Sequence, residues 1–229
     1  MIPISPRLLC CASMLEGSIV CDIGTDHAYL PAYLITSGRC SEVIATDIRQ
    51  GPLESAAGTL RRFHAEDKVR LVLSDGFDKV VSKGITDVVI AGMGGETIRD
   101  ILAAESAGFI RKRKVNLVLQ PMTKAELLRA WLAENGFAML RETAVKDTHL
   151  YTVMQARYEG TPQPMTEAQS YYGRLRRSDP LTKMYIAGVQ DRLHTRAHGL
   201  EDAGDEAGSA AVRALIAELN RWLSKGDKI

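Results

Sequence analysis

Five short apolar runs, each followed by a helical pattern, constrain the fold of this 229-residue chain more than any other feature. Runs of this length and spacing are typical of buried parallel strands joined by crossover helices. They lie at residues 19–23, 43–46, 69–73, 86–91 and 115–119. Two further runs, 137–145 and 150–158, flank a short polar turn and predict a β-hairpin. We therefore predict an α/β protein with a doubly wound sheet of five parallel strands and a terminal hairpin that adds one antiparallel strand.

The pattern changes after residue 159. Residues 160–164 read Gly-Thr-Pro-Gln-Pro, which is the composition of a linker, and strand patterns stop beyond them. Two amphipathic helical patterns follow, one starting at Asp179-Pro180 and one running from about Ala210 to Leu223. We predict two domains, residues 1–159 with the sheet and residues 160–229 with a small coiled-coil-like helical pair.

Composition excludes several classes of protein. No apolar run approaches the roughly 18 residues of a membrane span, and the first residues lack the layout of a signal peptide. We therefore expect a cytoplasmic protein without a membrane partner. The four cysteines form no CxxC and no Cys/His ligand spacing, so we expect reduced thiols and no metal site. The formal net charge is only +1, so nucleic-acid binding would depend on local clusters. The sequence leaves the oligomeric state open, and we expect a monomer.

Acidic residues follow the first three strands. Because the carboxyl ends of parallel strands converge on one crevice, we expect these side chains to line a ligand site. Asp22 ends the first strand, and Gly24 after it lets the backbone approach a ligand closely. Asp47, followed by Ile48, lies near the roughly 20-residue offset at which an acidic residue accepts hydrogen bonds from ribose hydroxyls. Asp75-Gly76 suits the amino edge of an adenine. The alternative is that each aspartate only caps the helix after it.

The first turn distinguishes between nucleotide-like cofactors. A dinucleotide-binding turn has the pattern G-x-G-x-x-G, so that the backbone can approach a pyrophosphate. This chain has the single Gly24, followed by Asp26 and His27 at the mouth of the turn. A carboxylate at that position would repel a pyrophosphate and attract a cation. S-adenosylmethionine carries an α-amino group and a sulfonium but no phosphate, so the pattern favours it over NAD.

The ends of the fourth and fifth strands differ from the acidic ends of the first three. Residues 91–95, Ala-Gly-Met-Gly-Gly, offer bare backbone beside the crevice. We predict that Ala91, Gly92 and Met93 contact the cofactor. Gly94, Gln120 and Pro121 are predicted to contact an acceptor base, since carbonyls and a side-chain amide can hold the Watson–Crick edge of an extruded adenine. The alternative for the glycines is close packing of helix against strand.

Basic residues form three clusters, at residues 61–62, 111–114 and 174–177. The run at 111–114 is predicted to be a solvated loop. Arg174, Arg176 and Arg177 adjoin two tyrosines at the start of the helical region and are predicted to contact RNA phosphates. Such contacts give affinity without sequence information.

Taken together, these segments resemble the bacterial tRNA adenine-22 N1-methyltransferases. The resemblance rests on residues 22–31 (DIGTDHAYLP), Asp75-Gly76, residues 91–95 and Leu119-Gln120-Pro121, and it extends over essentially the whole chain. It implies a class I methyltransferase domain of Rossmann-like fold, S-adenosylmethionine as the cofactor and tRNA as the substrate. Two positions depart from it. Asp47 replaces a glutamate of some members and preserves the ribose role, whereas Met122 stands where some members have asparagine and is given no base contact.

The resemblance and the chemistry together imply a mechanism. Adenine N1 has a lone pair and can attack a sulfonium methyl without prior deprotonation, so no general base is assigned. We predict that Asp26 stabilises the positive charge that develops on the base. His27 and Tyr29 are predicted to orient the base, although a loop histidine can also be a satisfied polar residue and Tyr29 can be core. Competing hypotheses are a methyltransferase for another RNA, a protein or a small molecule, and a non-catalytic cofactor-binding module that interacts with RNA.

Overall fold

The computed structural model describes residues 2–225. The helices in this range are α1 Pro6–Ser13, α2 Tyr29–Thr36, α3 Gln50–Arg62, α4 Gly95–Ala103, α5 Gly108–Arg113, α6 Ala125–Glu134, α7 Glu167–Tyr172, α8 Pro180–Asp202 and α9 Glu206–Ser224. The strands are β1 Ile19–Ile23, β2 Glu42–Asp47, β3 Val69–Leu73, β4 Asp87–Gly94, β5 Asn116–Thr123, β6 Phe137–Lys146 and β7 Leu150–Tyr158. Short 3₁₀ turns lie at Glu66–Lys68 and Glu105–Ala107.

The described strands form one seven-stranded sheet in the order β3-β2-β1-β4-β5-β7-β6. Strands β1 to β5 are parallel, β7 is antiparallel to β5, and β6 is antiparallel to β7. The chain runs outward from β1 to β3 and then returns to place β4 beside β1. A crevice forms at such a switch in strand order, outside the carboxyl ends of the strands. The predicted fold class is confirmed, including its single antiparallel strand.

Two apolar layers hold the helices on opposite faces of the sheet. One contains Met14, which is the residue after α1, together with Leu34 of α2 and Leu60 of α3. The other contains Leu102 and Leu128, from α4 and α6. Side chains of β1 alternate between the layers, since Val20 joins the first, and Cys21 and Ile23 join the second. Burial on both faces explains why the strands read as continuous apolar runs.

The helical tail is an antiparallel pair, α8 and α9, with its own apolar core. Leu193, Leu215 and Leu219 belong to that core, which also contains Ala144 of β6. The tail therefore packs against the outer strand of the sheet. Short helix α7 was missed from the sequence, although Thr166 and Gln169 form a capping box at its start. Met1 and residues 226–229, at the ends of the two predicted domains, lie outside the described residues.

Two predicted loop boundaries at the carboxyl edge of the sheet are wrong. The fourth and fifth strands were predicted to end at Ala91 and Leu119, but β4 continues to Gly94 and β5 to Thr123. Irregular register at Ala91/Met93 and Met93/Gly94 allows the two strands to stay paired through this glycine segment. Helix α6 begins after Lys124, which occupies its N-cap position with φ +53°.

Two other boundaries also differ from the prediction. Residues Arg111–Arg113 are the last turn of α5, which buried Ile110 anchors to the core, and not a loop. Helix α9 begins at Glu206, four residues before its predicted start, because the Asp205 side chain accepts a hydrogen bond from the Gly208 amide at 2.8 Å. Within residues 2–225, no helix combines the length and hydropathy that a membrane crossing requires.

Candidate active site

A cleft of about 890 Å³ opens at the carboxyl ends of β1 to β4, where the topology places the crevice. Every residue that was predicted to bind the cofactor lines it. These residues are Asp22, Gly24, Asp26, His27, Asp47, Ile48, Asp75, Gly76, Ala91, Gly92 and Met93. Tyr29 also lines the cleft, whereas Gly94, Gln120, Pro121 and the three predicted RNA-contacting arginines lie outside its lining.

The turn after β1 is strapped to the end of β2 by backbone hydrogen bonds. The amides of Gly24 and Thr25 both donate to the Thr46 carbonyl at 2.8 Å. The Asp47 carboxylate accepts from the Asp26 amide at 3.3 Å and from the Arg49 amide at 3.0 Å. Asp47 therefore fixes the shape of the turn in addition to any contact that it makes with a ligand.

Three residues of the turn, Gly24, Asp26 and Ala28, adopt left-handed backbone conformations. The φ angles are +74° at Gly24, +50° at Asp26 and +54° at Ala28. A Cβ atom on Gly24 would overlap the methyl group of Met93, which lies over it. The positive φ favours glycine at this position, and any side chain there would also have to displace the end of Met93. In the described structure no side chain caps the start of α2, so the helix-cap interpretation of Asp26 is not supported.

Asp22 is buried at the end of β1. The pKa of its carboxyl group is raised to about 6, mainly by burial; the Thr25 hydroxyl lowers this pKa, and the charge on Asp47 raises it. A carboxylate that is hard to ionise in the free protein becomes a strong partner for a cation that replaces its lost hydration.

Asp26, His27 and Tyr29 form a short row at the mouth of the turn. The Asp26 Oδ2 atom lies 3.7 Å from His27 Nε2, and their side chains are 63% and 52% exposed. The ring centroids of His27 and Tyr29 are 5.9 Å apart. This row is open to the cleft, so a planar base could meet a carboxylate and two rings at once.

The charge of the cleft favours a cationic ligand. Among the described residues, six carboxylates line it, those of Asp22, Asp26, Asp47, Asp75, Asp78 and Asp100. The guanidinium groups of Arg7 and Arg49 are the only arginine side chains in the same lining. No group of three or more His, Cys, Asp or Glu side chains within residues 2–225 is arranged to hold a metal ion.

Sequence analysis missed part of this lining. Arg7 of α1 and Thr97, Asp100 and Ile101 of α4 all reach the cleft. The helical patterns of α1 and α4 carry no motif that marks these side chains, because their position depends on how each helix packs on the sheet.

Residues 4–154 match the profile of a protein family described as a methyltransferase domain. The chain belongs to this family. The matched range contains every strand end that lines the cleft, and it stops before the helical tail.

Related proteins agree with this methyltransferase domain. The chain is 35% identical over 156 residues to the tRNA (adenine(22)-N(1))-methyltransferase of Bacillus subtilis, a match that covers 67% of this chain and 64% of that protein. The chain thus spans less than two thirds of that relative's length.

Two solved structures show the same fold. A protein of the NADB-Rossmann superfamily from Streptococcus agalactiae has a TM-score of 0.85 at 25% identity, covering 96% of this chain and 97% of that one. A candidate tRNA (m1A22) methyltransferase of Streptococcus pneumoniae, in complex with S-adenosyl-L-methionine, has a TM-score of 0.77 at 25% identity, covering 92% of this chain and 98% of that one.

The basic cluster at residues 174–177 lies away from the methyltransferase cleft. Arg174 and Arg176 are exposed, whereas Arg177 is half-buried with its guanidinium 5.0 Å from the centre of the Trp222 ring. The structure therefore divides the predicted RNA-contacting arginines into two that face solvent and one that packs on the tail.

Proposed function

We propose that the chain is an S-adenosylmethionine-dependent methyltransferase that modifies N1 of an adenine, at position 22, in tRNA. The observation that supports this most is the carboxylate-lined cleft around a single-glycine turn, in a chain with 35% identity to the Bacillus subtilis enzyme of that activity. We further propose that residues 1–159 carry the chemistry and residues 160–229 contact tRNA, in a cytoplasmic monomer.

The residues of the cleft fit S-adenosylmethionine. Gly24 places no side chain in the turn that lines the cleft, and buried Asp22 beside it suits a cationic group. Asp47 and Ile48 would hold the ribose, and Asp75 and Gly76 the adenine. When bound, the cofactor supplies an electrophilic methyl group on a positively charged sulfur.

The row at the mouth of the turn would act on the acceptor. A neutral adenine needs no base to expose its N1 lone pair, so the main task of the protein is to place that atom in line with the methyl group. His27 and Tyr29 would hold the plane of the base. The exposed Asp26 carboxylate would then stabilise the positive charge that grows on the base during transfer.

The residues that we propose to place the acceptor base come from the ends of β4 and β5. Gly94, Gln120 and Pro121 were predicted to contact the base, and in the paired strands β4 and β5 Gly94 lies opposite Thr123, two residues beyond Pro121. Gln120 is fully buried, and its side-chain amide bonds to other protein groups. We therefore propose that Gly94 and Pro121 face the acceptor through their backbone, and that Gln120 supports them from behind.

The test is transfer of a labelled methyl group from S-adenosylmethionine to a tRNA transcript, followed by nucleoside mass spectrometry. The expected product is 1-methyladenosine at position 22, and the matched control is the same transcript with guanosine at that position. Label in protein or metabolites would contradict the tRNA assignment. Cofactor binding without transfer to any acceptor would favour a non-catalytic module.

A further inference from the structure

A polar network centred on Gln120 lies behind the wall of the cleft that is formed by the end of β4. The Arg7 Nη1 atom donates to Gln120 Oε1 at 2.9 Å, and the Gly92 amide donates to the same oxygen at 3.1 Å. The Gln120 Nε2 atom donates to the Pro121 carbonyl at 3.0 Å. On its other side, Arg7 Nε lies 3.7 Å from Asp147 Oδ2, in the turn of the β6–β7 hairpin.

Gly92 is the point at which β4 departs from regular pairing. Ala91 pairs with Gln120 and Met93 with Pro121, so Gly92 is the extra residue of a β-bulge, and its φ is +82°. Bulges of this kind often lie next to active sites, where they redirect a side chain. Here the redirected side chain is Met93, whose methyl group lies over Gly24 on the opposite wall.

Arg7 and the Gly92 amide together fix which way the Gln120 amide points. A guanidinium group and a backbone amide can only donate hydrogen bonds, so both require the oxygen of Gln120 and not its nitrogen. Gln120 is 0% exposed, so water cannot replace a lost partner without opening the core. Arg7 also packs on Gly92, since its Nη1 would lie 3.4 Å from a Cβ placed there.

We propose that Arg7 is a positioning residue for methyl transfer, because it fixes the Gly92 bulge through Gln120 and thereby sets the wall against which the acceptor base lies. This inference rests on the proposed function. It predicts that loss of Arg7 disturbs the placement of the acceptor more than it weakens cofactor binding, because the aspartates of the cleft stay in place.

The test uses the full chain with S-adenosylmethionine and a tRNA transcript. Arg7→Met removes the donor and keeps an unbranched apolar stem. We expect it to lower kcat about 10²-fold, the usual cost of misplacing reacting groups by about 1 Å, and to weaken cofactor binding much less. Arg7→Lys restores a donor and should recover most of the rate. Gln120→Met breaks the same network from the Gln120 side. The double variant that combines Arg7→Met and Gln120→Met should therefore be no slower than the slower of the two single variants.

A matched control separates positioning from simple docking of α1. Arg39 holds the same end of the chain, through the Ala12 and Leu15 carbonyls at 2.8 and 3.3 Å, and lies outside the cleft lining. Arg39→Met should lower the melting temperature and leave kcat unchanged. An equal loss of kcat in the Arg7→Met and Arg39→Met variants would overturn the proposal, as would additive effects of Arg7→Met and Gln120→Met.

Hydrogen exchange at the Gly92 amide tests the network without any substrate. Exchange should be faster in Arg7→Met and Gln120→Met than in the unmodified protein, and unchanged in Arg39→Met. Unchanged Gly92 exchange in Gln120→Met would overturn the proposal even if the enzyme is active. If the unmodified protein does not methylate tRNA, the proposed function fails, while this measurement still decides whether Arg7 holds the bulge. If Arg7→Met does not fold, kcat and the exchange of the Gly92 amide are measured in Gln120→Met and Arg7→Lys instead.

Discussion

Two of the regions that bury charged side chains treat those charges in opposite ways. At the junction of the sheet with the helical tail, Arg129 lies 2.8 Å from Glu142 with both side chains fully buried. The Arg129 guanidinium also donates to the Ser170 and Tyr171 carbonyls at 2.7 and 3.1 Å, and Glu142 accepts from the Arg174 amide at 2.9 Å. In the cleft, the charge near buried Asp22 is that of another carboxylate, Asp47.

The pKa directions express the same contrast. Burial alone would lower the pKa of Arg129, but the negative charge of Glu142 and the contact with Tyr185 more than reverse this, and the pKa is raised. For Asp22, burial raises the pKa to about 6, which favours the neutral form. The junction thus stabilises its charges with protein groups, whereas the cleft leaves charge to be completed by a ligand. The fully paired charges of Arg129 and Glu142 belong to the architecture of the fold, whereas the incompletely paired charge of Asp22 is typical of a functional site.

The largest effect is expected when the buried ion pair of Arg129 and Glu142 at the junction is broken. Arg129→Met should lower the free energy of unfolding by about 3–5 kcal/mol, because it leaves the Glu142 carboxylate buried without a partner. Urea denaturation measures this. The matched control is Lys114→Met, which removes a half-exposed ion pair with Glu159 at 2.9 Å and should cost less than about 1 kcal/mol. Equal losses in the two variants would mean that the junction is no more than another surface pair.

The second prediction removes a charge from the cleft. Asp26→Asn should lower the single-turnover rate of methyl transfer about 10²–10³-fold, the usual cost of losing one preorganised electrostatic group. Cofactor affinity should change much less, because the charge on the base is greater in the transition state than in the ground state. Asparagine tolerates the left-handed conformation at this position, where φ is +50°.

Asp78→Asn is the control for this variant, since it neutralises another exposed carboxylate of the same cleft. A saturated rate within a few-fold of the unmodified protein would remove Asp26 from the chemistry. Loss of affinity at an unchanged rate would instead make it a ligand of the cofactor.

The contrast between these regions also shows how far the sequence could be interpreted. Strands β1 and β3 have their predicted bounds, because each is an apolar run that ends at polar or glycine residues. The acidic strand ends converge as predicted, since parallel topology alone brings them together. These features depend on local pattern and on a general rule of sheet geometry.

What the sequence did not reveal depends on packing between distant segments. The ends of β4 and β5 were missed because a bulge allows a glycine-rich segment to stay paired. Arg7 reaches Gln120 across a separation of 113 residues, and no pattern near either residue indicates that contact. Arg129 lies in an ordinary amphipathic helix, and only the fold shows that its side chain faces Glu142 and the tail.

The third prediction is a gain of stability, in contrast to the loss of stability that the first predicts. The folded-state pKa of Asp22 is raised from 3.8 to about 6, so the neutral carboxyl favours folding, and this contribution is lost as the pH rises through that window. Asp22→Asn should therefore raise the melting temperature at pH 7, whereas Arg129→Met lowers it. A lower melting temperature for Asp22→Asn would show that the Asp22 charge also serves the architecture of the protein.

Binding of S-adenosylmethionine should depend on the same group in the opposite sense. Affinity should fall about tenfold between pH 7 and pH 5, because the ionised fraction of a carboxyl with a pKa near 6 falls by about that factor. Calorimetry across this range should show the decline in the unmodified protein and a flat, weak profile in Asp22→Asn. An identical pH profile in the two proteins would exclude Asp22 as the titrating partner of the cofactor.

The smallest expected effect concerns the exposed arginines beside the junction. Arg174 and Arg176 face solvent, so replacing both with glutamine should weaken tRNA binding and reduce its salt dependence by about one logarithmic unit per lost phosphate contact. Arg177 packs over Trp222, so Arg177→Gln should lower the melting temperature and leave the salt dependence nearly unchanged. Binding measured at several salt concentrations separates the two kinds of arginine.

The matched control is the double variant Arg61→Gln and Arg62→Gln, which removes the same two charges from the end of α3. If it reduces the salt dependence as much as the Arg174 and Arg176 substitutions do, the effect reflects net charge and the tail has no phosphate contact of its own. A change confined to residues 174 and 176 would instead show that the chain separates its tasks by charge. Carboxylates in the cleft would then serve the cationic methyl donor, and arginines at the start of the tail would serve the anionic RNA, because one site cannot attract both.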